Sequence, residues 1–364
     1  MMPQSLSRRQ FAALAASAAL APRAALGASP GDSRIHVIDM ANAPFLDRDS
    51  VPAGLDGSNA CTRPNHRFLE TLGNAGIDTV FRYYSDTNNA NLNCKNVTRR
   101  ERDLLHDHGL ALAIVYQFEG RAKDRYTGAR ARQDAAFCLE RARVIGQPEG
   151  STTWFGVDSD TGLNADRDVL DYFREVRRIF AGRFRIGLYA AGARCRLVRE
   201  AGLAEAFWVP EAPAWEGTRA FMNSGDWTLF QNKTDIDQNL LTRGMGQQLH
   251  IDTDILNPSA GNSIGAFLKD GSIRTYDKAR LRAVAGARHW VKAGKLDIYD
   301  EPDGAAQAHA CIARMVHVLD HGPKWGLVDI DEDGFAEGWC RSRDLAPLGQ
   351  MPAWARTDCK PMDI

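Results

Sequence analysis

Trp154-Phe155-Gly156-Val157-Asp158-Ser159-Asp160 runs apolar and then ends in carboxylates, and two further stretches share the design. Val37-Ile38-Asp39-Met40-Ala41 and Leu249-His250-Ile251-Asp252-Thr253-Asp254-Ile255-Leu256 are apolar runs that also carry aspartate. Each reads as a buried strand with acid at its C-terminal tip. Side chains two residues apart share one face of a strand. Phe155 and Val157 therefore turn one way, toward covering helices, and Gly156, Asp158 and Asp160 turn the other. Ile251 and Ile255 likewise turn outward, and Asp252 and Asp254 inward. A closed parallel barrel puts all its C-terminal strand ends on one face. The three stretches thus predict a pocket holding Asp39, Asp158, Asp160, Asp252 and Asp254.

Outward from these strands the chain alternates strand and helix signals. Ile77–Ser85, Leu110–Phe118, Arg185–Gly192, Phe207–Pro213 and Trp227–Asp235 read as the other strands, with amphipathic helical stretches in most gaps. Thr98 with Glu101 three residues on is a capping-box pattern. The helix after the fourth strand is expected to be capped at Asn164 or Asp166. Eight such units over residues 34–258 predict an α/β fold, a (β/α)8 TIM barrel. The rival, a doubly wound open sheet, usually carries a Gly-rich phosphate loop after its first strand, and none follows Val37. Residues 259–286 read as a helix-containing linker. Residues 287–348 break into short β segments separated by Gly, Pro and Asp turns, a small all-β module, and 349–364 is a tail.

Residues 1–28 carry the pattern of a twin-arginine export signal: Ser7-Arg8-Arg9-Gln10-Phe11, an Ala-rich core, and small residues to Ala28. Cleavage after Gly27 or Ala28 is expected, with a periplasmic or extracellular destination. Removal takes Arg8, Arg9 and Arg23 and no acids, so the charge becomes (45 − 3) − 46 = −4. That balance argues against a nucleic-acid partner, and it leaves no basic patch for a membrane surface. The composition, 44% hydrophobic and 25% charged, is that of an ordinary globular protein. Seven cysteines in an oxidising compartment suggest the pairs Cys61–Cys94, Cys138–Cys195 and Cys311–Cys340 with Cys359 left over, and buried free thiols are the equal alternative.

Read in order, the strand motifs resemble a glycoside-hydrolase-like domain of bacterial secreted proteins, related to the family 25 lysozymes. The residues that carry the likeness are Ile38-Asp39, Phe81-Arg82-Tyr83-Tyr84, Val115-Tyr116-Gln117, Phe155 to Asp160, Gly187-Leu188-Tyr189, Trp208, Trp227 to Gln231, and Ile251-Asp252. The C-terminal module resembles a bacterial SH3-like domain through Leu296-Asp297-Ile298-Tyr299 with Pro302, Trp325 to Val328, Gly338-Trp339-Cys340 and Leu345. Such modules often bind cell-wall peptides or glycans. The resemblance implies a secreted protein acting on peptidoglycan or a related cell-wall glycan, without a cofactor.

The implied chemistry is hydrolysis by a carboxylate pair. Asp160 takes the general-acid position, Asp158 is nucleophile or stabiliser, and Asp39 and Asp252 tune them and bind sugar hydroxyls. Arg82 would keep one aspartate ionised, with Gln117 and Gln231 as further polar contacts. Tyr84, Tyr116, Tyr189, Trp208 and Trp227 offer faces for sugar stacking, and Glu119 is a spare acid. The lysozymes carry Asp-x-Glu where this chain has Asp158-Ser159-Asp160. The missing methylene moves the carboxyl by about 1.3 Å, and errors of about 1 Å can cost about 100-fold in rate. Plain structural roles compete: Asp160 capping its turn, Asp254 stabilising its loop, Trp208 and Trp227 filling the core. His36, His66, His106 and His108 lack metal-ligand spacing, and His106 and His108 read as solvated at a helix end. Besides hydrolysis, two other functions fit: a catalytically silent wall-binding protein, and a hydrolase using the aspartates as oxygen ligands for Mg²⁺ or Ca²⁺.

Overall fold

The computed structural model describes residues 33–40, 66–85, 95–118, 125–160, 165–236, 251–292, 295–310, 315–330 and 336–353. The export-signal segment, Asn164, Glu119, His66 as a side chain, Cys61, Cys94, Cys311, Cys359 and the tail from 354 onward lie outside the described residues. The chain divides into two compact units, 1–31 and 32–364, and all that follows concerns the second.

Eight strands close into a barrel in chain order. They are β1 (Val37–Asp39), β2 (Thr79–Tyr84), β3 (Ala111–Tyr116), β4 (Thr152–Val157), β5 (Arg185–Ala190), β6 (Ala206–Val209), β7 (Leu229–Ile236) and β8 (Ile251–Leu256). Six helices lie between them: α1 (His66–Asn74), α2 (Arg99–Asp107), α3 (Gly128–Ile145), α4 (Asp166–Phe180), α5 (Gly192–Glu200) and α6 (Thr218–Ser224). Neighbours from β1 to β7 are parallel. β8 is not: it runs antiparallel to both β7 and β1. The expected all-parallel barrel is corrected here. β8 brings its N-terminal end, not its C-terminal end, to the face where the other strands finish. Asp39 therefore faces Asp252 across the ladder, and Val37 faces Asp254.

Two apolar layers follow from the two-residue period. Ile38, Val80, Leu112, Phe155, Val157, Leu188, Val209, Phe230 and Ile251 turn outward and pack under the helices. Val37, Phe81, Ala113, Trp154, Ala206, Trp208, Leu229 and Leu256 fill the interior. Phe81, Trp154 and Trp208 form its centre, with ring centroids 4.6 to 6.0 Å apart. Gly187 makes the space: a Cβ there would stand 2.3 Å from Trp154 Cδ2. Gly187→Ala is therefore expected to destabilise the barrel by about 1–3 kcal/mol through overpacking, read by urea unfolding.

Local signals behave unevenly. Thr98 caps α2, its hydroxyl accepting the Glu101 amide at 3.1 Å. The Glu101 side chain, however, turns away to Arg82 rather than completing the box. α4 begins after Ala165 with no side-chain cap, so Asp166 lies inside its first turn. There its charge, with that of Asp168, suits the positive end of the helix dipole. Cys138 on α3 and Cys195 on α5 are buried free thiols, and Cys340 is another. The proposed Cys138–Cys195 bond is thereby corrected, because α4 packs between the two helices that carry them. The Cys311–Cys340 bond fails with the free thiol of Cys340.

Residues 259–286 are packed against the barrel floor. Phe267 pairs with Leu112, Ile264 accepts the Trp154 indole N–H at 3.2 Å, and the Tyr276 hydroxyl lies 3.0 Å from that of Thr79. His106 is buried here, against the carbonyl and ring of Phe267, rather than solvated. Helix α7 (Lys278–Ala287) leads into a seven-stranded antiparallel sheet. Its strands are β9 (Arg288–Val291), β10 (Leu296–Tyr299), β11 (Ala306–Ala310), β12 (Met315–His321), β13 (Trp325–Asp329), β14 (Gly338–Arg341) and β15 (Leu345–Pro347). One face closes on Leu296, Ile298, Val316, Val318, Val328, Cys340 and Leu345. Trp290, Met315 and Leu348 join the barrel's outer core instead, with Trp290 5.2 Å from Phe230, so the sheet docks on the barrel flank.

Candidate active site

Five strands of the barrel feed one polar network at the mouth. Tyr189 on β5 donates its hydroxyl proton to Gln231 Oε1 at 2.9 Å, which fixes which way the β7 amide points. Gln231 Nε2 then donates to Asp39 Oδ2 and Asp252 Oδ2, each at 2.9 Å, one amide bridging two carboxyls. The other oxygen of Asp39 accepts from the Tyr83 hydroxyl of β2 at 3.2 Å. Burial pushes the Tyr83 and Tyr189 phenols well above their ordinary range, so both remain donors.

Opposite this network sits Lys95. The segment that carries it is stitched to the end of β2, with Val97 N bonded to Tyr83 O at 2.9 Å and Ser85 N to Asn96 Oδ1 at 2.7 Å. Lys95 Nζ donates to Gln117 Oε1 at 2.8 Å and lies 4.7 Å above the Tyr83 ring. Gly156 gives Gln117 its room, since a Cβ there would come within 3.3 Å of the Gln117 side chain. Burial lowers the Lys95 ammonium to about 8, while Asp158 and Asp39 act to retain its charge. Asp158, half-buried just past β4, is thus faced by a cation.

Asp39 is 2% exposed, and that burial raises its pKa to about 6 against the bonds from Gln231 and Tyr83 and the charges of Arg82 and Lys95. Asp254 lies one layer deeper and fully buried, rather than in a loop. Burial, then Asp39 and Asp252, push it well above the usual carboxylate range. The Trp208 indole acts in the other direction but stands outside hydrogen-bond geometry. Asp160 is half-buried at the rim, where its Oδ1 accepts the Glu216 amide at 3.0 Å and ties the end of β4 to the loop after β6.

Several expected contacts lie elsewhere, for reasons of strand parity. Arg82, Tyr84 and Tyr116 point outward, under the helices. Arg82 pairs with Glu101, Tyr84 donates to Gln147 Oε1 at 3.0 Å, and Tyr116 to Asp134 Oδ1 at 2.6 Å. Trp227 packs on Phe230 and donates to Met222 O at 3.1 Å, also outside the barrel. Trp208 is interior but 1% exposed, sealed beneath the mouth. These five are corrected as sugar-stacking or sugar-binding groups. Asp39, Asp158, Asp252, Gln117, Tyr189 and Gln231 do come together. Tyr83 and Lys95 were missed. Applying to β2 the parity used for β4 selects Tyr83 over Tyr84, whereas nothing around Lys95 marks it. Among the described residues no group of three or more His, Cys, Asp or Glu is arranged to hold a metal ion.

The Asp39 shift has a pH signature. Its folded pKa, about 6, exceeds the ordinary 3.8, so between these values the folded chain binds a proton that the unfolded chain releases. The group's contribution is present at low pH and is lost as pH rises through this window. Asp39→Asn is expected to remove that downward component, so the wild-type-minus-variant difference in urea-derived stability falls with pH only between about 4 and about 6.

Comparison with known proteins agrees with this architecture. Two Bacillus subtilis (strain 168) proteins are similar: uncharacterized protein FadG, 26% identical over 193 residues, and uncharacterized protein YbfG, 27% identical over 174 residues. The aligned parts cover 51% and 44% of this chain but only 32% and 24% of those relatives. Among solved structures, the Mycobacterium tuberculosis Tat-secreted protein Rv2525c in complex with L-tartrate aligns at 18% identity and a TM-score of 0.46, covering 62% of this chain and 96% of that one. The modular autolysin LytC from Streptococcus pneumoniae, in complex with a synthetic peptidoglycan ligand, aligns at 9% identity and a TM-score of 0.35, covering 60% and 46%. The family described as Rv2525c-like, glycoside hydrolase-like domain matches residues 70–256, from α1 to the end of β8. With half of its length in that match, the chain belongs to the Rv2525c-like, glycoside hydrolase-like domain family.

Proposed function

We propose that this chain is an exported glycoside hydrolase that cleaves peptidoglycan or a related cell-wall glycan, on a TIM-type barrel with an appended SH3-like wall-binding module. The observation that carries the proposal is the Gln231 amide bridging Asp39 and Asp252 at 2.9 Å each, across the mouth from Asp158 and Lys95. Such a floor presents acceptors and donors to sugar hydroxyls while the carboxylates above it do acid–base work. In this reading Asp160 at the rim protonates the leaving oxygen. Asp158, faced by the Lys95 cation, acts on the sugar carbon as nucleophile or stabiliser. Asp39, still protonated up to about pH 6, limits the negative charge crowded into the mouth. Membership of a glycoside-hydrolase-like family supports the reaction class, and the small antiparallel sheet on the barrel flank supports delivery to a polymer.

A second reading, a wall-binding protein without turnover, draws on one contact: the bond from the Glu216 amide gives Asp160 a structural task. Incubation with purified peptidoglycan from acidic to neutral pH separates the two. Release of soluble reducing sugar is the expected result. Co-sedimentation with the polymer and no release would overturn hydrolysis in favour of binding.

A further inference from the structure

Ser33, His317 and Asp329 form a chain of hydrogen bonds that the barrel chemistry does not use. His317 on β12 and Asp329 on β13 are direct cross-strand partners. Asp329 is fully buried, His317 is 5% exposed, and Ser33 is half-buried. His317 Nδ1 lies 3.3 Å from Asp329 Oδ2, and His317 Nε2 lies 3.1 Å from Ser33 Oγ. A carboxylate only accepts, so Nδ1 carries the ring proton and Nε2 is left to accept the serine hydroxyl. Hydroxyl, imidazole and buried carboxylate in that order is the arrangement that activates a serine nucleophile, whatever the fold or the order in sequence. Arg288 Nη1 donates to the Ser33 carbonyl oxygen at 3.0 Å, and Arg288 is itself buried. Its charge beside the nucleophile favours the negative charge that develops on an acyl oxygen.

We propose that Ser33 is a second nucleophile of this chain, acting on short-chain carboxylic esters. The acyl group must be short because two of the three members are covered, and only the Ser33 edge meets solvent. Ser33 Oγ forms a bond to the ester carbonyl carbon as its proton passes to His317 Nε2. The carbon–oxygen bond to the alcohol breaks, and the alcohol leaves with that proton. Water, deprotonated by the same nitrogen, then attacks the acyl-serine, frees the carboxylic acid and returns a proton to Ser33. Asp329 holds the ring and stays a carboxylate throughout.

The test is covalent labelling of the full chain with a fluorophosphonate, with peptide mapping by mass spectrometry, alongside hydrolysis of p-nitrophenyl acetate. The expected result is a single adduct on Ser33, absent in Ser33→Ala, and a fall in both labelling and ester hydrolysis of at least about 100-fold in His317→Gln. Because His317 is buried, the Ser33→Ala comparison stands independently of how well His317→Gln folds. An unlabelled Ser33 in wild-type protein that still shows its thermal transition overturns the proposal. The three residues would then be a tether holding the start of the barrel chain to the second sheet.

Discussion

Asp158→Asn lowers the release of reducing sugar from purified peptidoglycan by about 100- to 10,000-fold, the range for losing one acid–base or nucleophilic carboxyl. The substitution is nearly isosteric and the side chain is half-buried at a strand tip, so the fold is expected to survive it. What disappears is the charge opposite Lys95. Asp160→Asn should cost a similar factor, because an amide cannot supply the proton the leaving oxygen needs. It keeps an oxygen for the Glu216 amide, so a loss of rate with an unchanged melting temperature would separate chemistry from loop anchoring. Equal rates for Asp160→Asn and wild type would remove Asp160 from the reaction and leave its turn-holding role.

The largest effect on stability is expected away from the mouth. Arg82 and Glu101 form a buried ion pair at 2.5 Å, with side chains 0% and 4% exposed. Arg82 also donates to the Met40 carbonyl, the residue after Asp39. Glu101→Ala strands a guanidinium in the layer between strands and helices, and losing one partner of a buried pair typically costs about 3–5 kcal/mol. Burial raises the Glu101 pKa and Arg82 opposes that rise, so the pair does not hold itself apart from its surroundings. The double substitution Arg82→Met with Glu101→Leu should recover most of the loss, since an apolar pair of similar volume avoids desolvating two ions. Urea unfolding of both variants checks the pair. A single-variant cost below about 1 kcal/mol would mean that water reaches Arg82.

How far the sequence reached can be followed strand by strand. Phe155 and Val157 against Asp158 is a parity statement, and parity survives folding because pleating fixes it. The same period, applied to β2, would have replaced Arg82 and Tyr84 by Tyr83. The family likeness drew attention to residue types there, while the side chains obeyed the pleat. Strand direction is another matter. An apolar run with inward aspartates reads the same whether its strand points up or down, so Ile251 to Leu256 gave no sign of being reversed. Asp252 and Asp254 were assigned to the correct face and to the wrong depths. Lys95 and Ser33 act through partners 22 and 284 residues away. No local period reports contacts of that kind. Residues 259–286 looked like a linker because their apolar groups, Ile264, Phe267 and Tyr276, follow no helical or strand repeat. They fill an irregular floor instead.

The reversal of β8 bears on how such proteins exchange their parts. A strand pointing up would release the chain beside the carboxylates, and anything fused after it would start at the entrance used by substrate. β8 points down, and its six residues carry the chain about 20 Å from the Asp252 level to the floor. A downstream segment therefore begins at the far end of the barrel, where it can be swapped, lengthened or trimmed without rebuilding the mouth. That separation lets the catalytic scaffold stay fixed while its appended modules diversify.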